Sequence, residues 1–182
     1  MKKFLVFVTS LFALACSDKK TAEEPAEPKA MTPTNMYGFT PAYSASFVMD
    51  DSKNTETVLA LWREWDDGDL SKSRPHFADS LSLFLADGTQ MMGLTDSVLA
   101  GVQQYRSSLK NMKATVDAVF AVTSTDRNED WVAIWGTEIY TNPQGMVDST
   151  TLQETWRFNK DGKVDLMFQA NRKGITPPPP AK

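Results

Sequence analysis

The spacing of apolar residues along this chain changes from a helical period to the alternation that is typical of strands. Val58, Leu61, Trp62 and Trp65 recur at i, i+3, i+4 and i+7, which predicts a helix that ends at Asp66-Asp67-Gly68. Residues at these spacings share one face of a helix, so this face is expected to pack against the rest of the domain.

Two more helices and a hairpin are expected before the alternation begins. A short helix is predicted around residues 71–78, although Pro75 restricts its first turn. The stretch SLSLFLADGTQMMG predicts two short strands joined at Asp87-Gly88. A third helix is expected from Thr95 onward, with an apolar seam formed by Val98, Val102, Tyr105 and Leu109.

The second half of the domain predicts four strands in a row. They span residues 112–123, 130–141, 147–158 and 164–171, and the joints TDRNED, NPQG and NKDG are rich in turn-forming residues. Together with the helices, this meander predicts an α+β domain over residues 54–172, with the helices gathered on one face of the sheet.

Three segments outside this domain differ from it in composition. Residues 16–36 consist mainly of Lys, Glu, Ala, Pro and Thr, and they predict a disordered tether because they bury too little apolar area to offset their ordering entropy. Residues 173–182 form a proline-rich tail. Residues 37–53 are expected to pack on the body, over an edge strand or over a cavity, because they contain Tyr37, Phe39, Tyr43 and Phe47.

Residues 1–15 have the pattern of a secretory signal peptide. Two lysines precede an apolar run that is too short to cross a bilayer, which takes ~20 residues. The sequence LFALAC, which ends at Cys16, resembles the lipobox of bacterial lipoproteins and implies that Cys16 is acylated and anchors the chain to a membrane of the cell envelope. Ser17 favours the outer membrane if the host follows enteric sorting rules. The alternative is an ordinary signal peptide with Cys16 as a free thiol.

Composition and charge exclude several classes of function. The formal net charge is −4, and it falls to −6 when the signal peptide removes Lys2 and Lys3, so nucleic acid is not an expected partner. One cysteine cannot form an intrachain disulfide, and one histidine makes a zinc site improbable. No phosphate-binding loop or metal-ligand spacing is present, and no cofactor or metal is expected.

Three motifs carry a resemblance to a known superfamily. HFADSLSLFLADG, WVAIWGTEIY and WRFNKDGKV, in this order, resemble the SnoaL-like branch of the NTF2-like superfamily over about residues 54–172. The resemblance implies a cone in which a curved mixed sheet wraps around about three helices and encloses an apolar pocket for a small organic molecule. It also implies a homodimer through the outer face of the sheet, and acids, histidines or tyrosines inside the cone of the catalytic members.

The strand alternation selects two carboxylates for this pocket. Glu138 lies on one face with Val132 and Ile134, and Glu154 lies on one face with Leu152 and Trp156. An acid on an apolar face has its pKa raised by desolvation and suits a general base or a protonated donor. The alternative is a side chain near a strand end that reaches water or a lysine.

The remaining candidates are a histidine–aspartate pair and a set of pocket-lining residues. His76 and Asp79 could form an acid–base pair at the pocket rim, or they could cap and pack the corner before the hairpin. The side chains expected to line the ligand pocket are Trp62, Trp65, Trp135, Trp156 and Gln169.

Three functions are compatible with these residues. The first is a lipid-anchored envelope protein that binds a small apolar or amphipathic molecule, as a homodimer. The second is an enzyme of the same fold that performs acid–base chemistry of the isomerase, dehydratase or cyclase type. The third is a structural or interaction domain whose pocket is filled by its own aromatic side chains.

Overall fold

The computed structural model describes residues 29–50 and 53–173, which form seven strands, two α-helices and one 3₁₀ turn. The predicted signal peptide, Cys16, residues 17–28 of the predicted tether and residues 174–182 of the predicted tail lie outside the described residues. In chain order the elements are β1 (Phe47–Asp50), α1 (Asn54–Asp67), the 3₁₀ turn (Arg74–His76), β2 (Phe77–Phe84), β3 (Gln90–Leu94), α2 (Thr95–Ser107), β4 (Lys110–Ser124), β5 (Asp130–Thr141), β6 (Val147–Phe158) and β7 (Val164–Lys173).

All seven strands belong to one mixed sheet, which is curved and open. Its spatial order is β1-β4-β5-β6-β7-β2-β3, and every neighbouring pair is antiparallel except β2 and β7, which run parallel. Helix α1 packs against β4 and β5, and α2 packs against β2 and β3. The predicted α+β class, with a curved mixed sheet around helices, is confirmed.

The four predicted strands of the meander are present as β4 to β7. Strands β5 and β6 have the predicted bounds, β4 begins two residues earlier and β7 ends two residues later. The register places Ile134 beside Glu154 and Glu138 beside Thr150 on β5 and β6. The side chains of Val132, Ile134 and Glu138 are buried on the face that the helices cover.

The short helix predicted over residues 71–78 is wrong. Only Arg74–His76 form a 3₁₀ turn, and β2 begins at Phe77, so the domain has two α-helices within the described residues rather than three. Pro75 supplies no backbone N–H for a longer helix. Phe77, Leu81 and Leu83 are buried at even spacings, which suits a strand.

The core lies between the helices and the concave face of the sheet. Its members come from both helices and from five strands. The helices therefore bury this face of the sheet where they pack against it. The largest side chains without solvent exposure are Phe158, Leu81, Ile134, Val58 and Val132. No helix in the described part of the chain is long and apolar enough to cross a membrane.

The segment before α1 lies against the opposite, convex face of the sheet. Residues 47–50 extend the sheet as β1, paired with the edge of β4. Tyr43 makes edge contacts with the rings of Trp131 and Phe168, at centroid distances of 5.2 and 5.8 Å. The Arg157 guanidinium lies 6.0 Å from the Tyr43 ring and 5.9 Å from the Trp131 ring. These contacts fix the segment across strands β5 to β7.

Candidate functional site

A cavity of about 440 Å³ lies between the two helices and the concave face of the sheet. This volume is in the range of small-molecule sites, which is roughly 300–1,000 Å³. Most of the lining is apolar or aromatic and includes Leu61, Leu83, Leu85, Met91, Leu99 and Val102. Its exposed lining residues mark the mouth, and they are Asp87, Thr89, Tyr105 and Asn171.

A glycine on β5 allows helix α1 to approach the sheet closely at this cavity. A Cβ atom at Gly136 would lie 2.0 Å from the backbone oxygen of Thr115 and 3.1 Å from Cζ3 of Trp62. The pairing of β4 with β5 shifts its register between Val116 and Ala118, directly beside this contact. The missing side chain therefore lets β4 bend inward and lets the Trp62 indole lie on the strand.

Glu154 is buried at the inner end of the cavity and accepts three N–H groups. Its Oε2 accepts the indole N–H of Trp62 at 2.7 Å and that of Trp156 at 3.1 Å, and its Oε1 accepts the amide of Gln169 at 2.9 Å. Burial raises the pKa of the Glu154 carboxyl, and the donors Gln169, Trp62 and Trp156 oppose this increase. The carboxyl joins α1, β6 and β7 in one network.

Glu138 is 8% exposed and lines the same cavity. Burial, together with the charge of Glu154, raises the pKa of the Glu138 carboxyl from 4.5 to about 7. The indole N–H of Trp65 lies close enough to oppose part of this increase, although the two groups do not meet the geometry of a hydrogen bond. Glu138 therefore exchanges its proton near neutral pH while facing the cavity.

Trp65 supplies a buried donor without a partner. Its Nε1 atom has no hydrogen-bond partner within the described residues, although the residue lines the cavity. A buried N–H without an acceptor costs about 1–3 kcal/mol, so a polar group in the cavity would be stabilised there. Trp65 therefore brings a buried N–H without a partner to the cavity wall, close to the Glu138 carboxyl.

Arg106 fixes the end of α1 beside this site. This buried guanidinium donates to the backbone oxygens of Trp65, Asp66 and Leu109, and it lies 5.7 Å from the centre of the Trp65 ring. A cation at the carboxyl end of a helix satisfies carbonyls that have no partner within the helix and interacts favourably with the helix dipole. Arg106 thus holds Trp65 in place from α2.

The structure brings six of the residues predicted for the site into this cavity. They are Trp62, Trp65, Glu138, Glu154, Trp156 and Gln169. The position predicted for Trp135 is wrong, because it lies on the opposite face of β5 from Glu138, with its ring 5.8 Å from that of Phe120. Strand alternation separates the two faces, so Trp135 lies with the other odd-numbered residues of β5 on the face opposite the cavity.

The histidine–aspartate pair does not reach the cavity. His76 ends the 3₁₀ turn and is partly exposed, and the side chain of Asp79 is fully exposed and pairs with Arg74 at 3.5 Å. Neither residue contributes to the cavity lining. The residues of this corner that line the cavity are Ser73 and Phe77 instead.

Two phenols at the cavity had not been selected from the sequence. Tyr140 lies two residues from Glu138 on the same face of β5, and Tyr105 lies on α2 at the mouth. The alternation of β5 already placed Tyr140 beside Glu138, and this was the signal that could have identified it. Tyr105 had been assigned to an apolar seam, whereas 57% of its surface is exposed.

Comparison with solved structures shows that this is the NTF2-like fold. A SnoaL-like polyketide cyclase, so described provisionally, from Shewanella denitrificans matches with a TM-score of 0.55 and 11% identity, over 65% of this chain and 90% of that chain. An NTF2-like protein of unknown function from Burkholderia pseudomallei matches with a TM-score of 0.54 and 19% identity, over 66% of this chain and 92% of that chain. The epoxide hydrolase/cyclase-like enzyme SalBIII matches with a TM-score of 0.53 and 15% identity, over 69% of this chain and 94% of that chain. The sequence itself matches no protein-family model and no curated protein.

Proposed function

We propose that this NTF2-like domain binds a small, largely apolar organic molecule, whose polar group lies beside Glu138 and Trp65. The observation that carries the proposal is the cavity of about 440 Å³, which holds an unpartnered buried donor and a buried carboxyl inside an apolar lining. Aromatic side chains do not fill this interior, which argues against the purely structural alternative. Pockets with a few convergent polar groups are the usual sites for small molecules.

The similar solved structures support this proposal because they include proteins described as cyclases of small organic molecules. They include SalBIII, which has a role in pyran ring formation in the polyether salinomycin, and IdmH from Streptomyces antibioticus, which was described as a possible polyketide cyclase. At identities of 15% and 20% the likeness extends to the fold, so the ligand of this chain follows from its own side chains.

Acid–base catalysis is the second candidate function, and Glu138 favours it. A carboxyl with a pKa of about 7 is both a competent base and a competent acid at neutral pH. It lines a largely apolar cavity, where a bound molecule would be close enough to exchange a proton with it. Glu154 is the less suitable proton carrier, because both of its oxygens already accept N–H groups.

We also propose that the chain is a lipoprotein of the cell envelope, anchored through Cys16, with the outer membrane favoured. The support is the short apolar run before the LFALAC sequence. Mass spectrometry of the membrane fraction is expected to show an N-terminal peptide that begins at Cys16 and carries acyl chains. A free thiol at Cys16 would contradict the anchor, and Ser17→Asp tests the sorting to the outer membrane.

A homodimer is proposed through the convex face of the sheet. Phe120, Trp135 and Ile139 lie on that face, and Phe120 and Ile139 are 36% and 48% exposed. Light scattering on the purified protein is expected to give twice the mass of one chain, and Trp135→Glu is expected to give the mass of one chain. If the unsubstituted protein has the mass of one chain, the proposed homodimer is contradicted.

Native mass spectrometry of the full-length protein, purified from its own host, tests the ligand proposal. The expected spectrum contains the protein with one additional small molecule per chain, which gentle collisional activation releases. If a ligand is identified, turnover of that molecule by the wild-type protein and by Glu138→Gln separates binding from catalysis. A protein that carries no molecule and takes up none from a lipid extract of its host would contradict the proposal.

A further inference from the structure

The charges that face the cavity are all of one sign. Asp87, Glu138 and Glu154 are its ionisable carboxyls, and no Lys, Arg or His is among the lining residues that the structure describes. An anionic ligand would enter a site that already repels negative charge, and burial would strengthen this repulsion. The ligand is therefore not expected to be a carboxylate or a phosphate ester.

The nearest cation does not neutralise these carboxyls through direct contact. Arg106 donates to the backbone oxygens of Trp65 and Asp66 at the end of α1, and to that of Leu109 just after α2. Its charge lowers the pKa of the Glu138 carboxyl only as a minor influence, after burial and the charge of Glu154. The carboxyl of Glu138 thus faces the cavity without a salt-bridge partner in the described residues.

We propose that the ligand is an amphipathic amine whose ammonium group lies beside Glu138 and whose apolar body fills the space between α2 and β2. This inference rests on the proposed function and specifies its ligand class. An ammonium supplies the positive charge that the lining lacks, and it donates N–H groups to a carboxyl that forms no salt bridge with the described residues.

The aromatic lining suits the same ligand. The indoles of Trp62, Trp65 and Trp156 and the phenols of Tyr105 and Tyr140 surround the cavity, and the faces of such rings attract cations. The rings of Trp65 and Tyr105 are stacked at a centroid distance of 6.3 Å, and both residues line the cavity with Glu138. An ammonium beside Glu138 favours the ionised form of this carboxyl, and the nearby N–H of Trp65 favours the same form.

Binding is expected to be stronger at higher pH. The groups that act on Glu138 are Glu154 from β6, Trp65 and Asp66 from α1, and Arg106 from α2; Tyr105, Tyr140 and Asp87 line the same cavity. Arg106 is the one cation in this set. Because the pKa of Glu138 is about 7, the ionised fraction rises about tenfold between pH 6 and pH 8, and the affinity for an ammonium rises with it.

Three probes that differ only in the polar group test the proposal: 1-naphthylmethylamine, 1-naphthalenemethanol and 1-naphthoate. Calorimetric titration of the full-length protein in lipid nanodiscs, with empty nanodiscs as a blank, is expected to show that the amine binds about tenfold more tightly than the alcohol at pH 8. The carboxylate is expected not to bind. The affinity for the amine should fall about tenfold at pH 6, while that for the alcohol should stay constant.

Two substitutions of a carboxyl by an amide locate the effect. Glu138→Gln is expected to remove both the preference for the amine and its pH dependence, and to keep binding of the alcohol, which shows that the variant is folded. Asp79→Asn removes an exposed carboxyl outside the cavity and is expected to change neither property. Equal or tighter binding of the alcohol by the unsubstituted protein would overturn the amine while leaving the cavity as a binding site. Binding of none of the three would overturn both.

Discussion

The indole N–H of Trp62 donates to Oε2 of Glu154 across 2.7 Å, and this bond joins helix α1 to the middle of the sheet. The two residues are 92 positions apart in the sequence. Both are buried, with 7% and 6% of their surface exposed, so the bond is shielded from water. It closes the inner end of the cavity and determines how far α1 lies from strands β5 and β6.

Loss of this donor is expected to destabilise the domain. Trp62→Phe keeps an aromatic ring but leaves Glu154 one N–H short, and a missing partner for a buried charged or polar group costs about 1–3 kcal/mol. Trp135→Phe is the matched control, because Trp135 donates no hydrogen bond within the described residues. Urea denaturation should give a larger decrease in the free energy of unfolding for Trp62→Phe. Equal decreases would contradict the role assigned to the bond.

The stability of the domain is expected to decrease with rising pH because of Glu138. Its pKa is about 7 in the folded chain, whereas the ordinary value of 4.5 applies to the unfolded chain. Folding therefore favours the protonated form. The stabilisation is complete below about pH 4.5 and is lost as the pH rises to and beyond 7, a difference of about 3 kcal/mol. Glu138→Gln should reduce this slope, leaving the contribution of Glu154, whose pKa is also raised by burial, and at pH 8 it should be more stable than the wild-type protein.

The control for this slope is the same chemical change on an exposed glutamate. Glu56 lies in the first turn of α1 and is exposed, so Glu56→Gln is expected to keep the wild-type slope between pH 4.5 and pH 8. Chemical denaturation at pH 4.5, 6 and 8 gives the comparison. A wild-type slope in Glu138→Gln would show that another group controls the pH dependence.

A methyl group at position 136 is expected to be poorly tolerated. Gly136→Ala places a Cβ atom 2.0 Å from the Thr115 backbone oxygen, and a strand cannot move as easily as a side chain. The expected loss is about 3 kcal/mol, at the upper end for overpacking. Gly101→Ala is the control, because its new Cβ meets only the flexible end of Met91 and alanine favours the helix. Thermal unfolding of both variants tests this difference, and similar melting temperatures would contradict it.

The alternation of residues was sufficient to predict the strands and their faces. In β5, the even-numbered residues Ile134 and Glu138 share the buried face, as the pattern indicated. The same pattern contained the reason to exclude Trp135 from the cavity and to include Tyr140. Local periodicity was therefore sufficient to predict most of the strands and their buried faces, because these strands are long and have one face toward the helices.

Contacts between distant parts of the chain could not be predicted. The burial of Glu138 depends on the bend of β4 between Val116 and Ala118 and on the position of α1, and neither is a local property of β5. Arg106 reaches the end of α1 from 40 positions away through its bond to Asp66. The predicted helix over residues 71–78 failed for the related reason that pairing with β7 determines where β2 begins.

The most direct test of the ligand-binding cavity is to fill it with a larger side chain and to measure the fraction of chains that still carry the small molecule. Leu99 lines the cavity from α2, so Leu99→Trp occupies its space, whereas Leu94→Trp makes the same change at a position that is 68% exposed and outside the lining. Native mass spectrometry of both full-length variants from the same host compares the fraction of chains that carry the small molecule. We predict at least a tenfold lower fraction in Leu99→Trp and an unchanged fraction in Leu94→Trp. Equal occupancy in the two folded variants would show that the molecule binds elsewhere and would contradict the account.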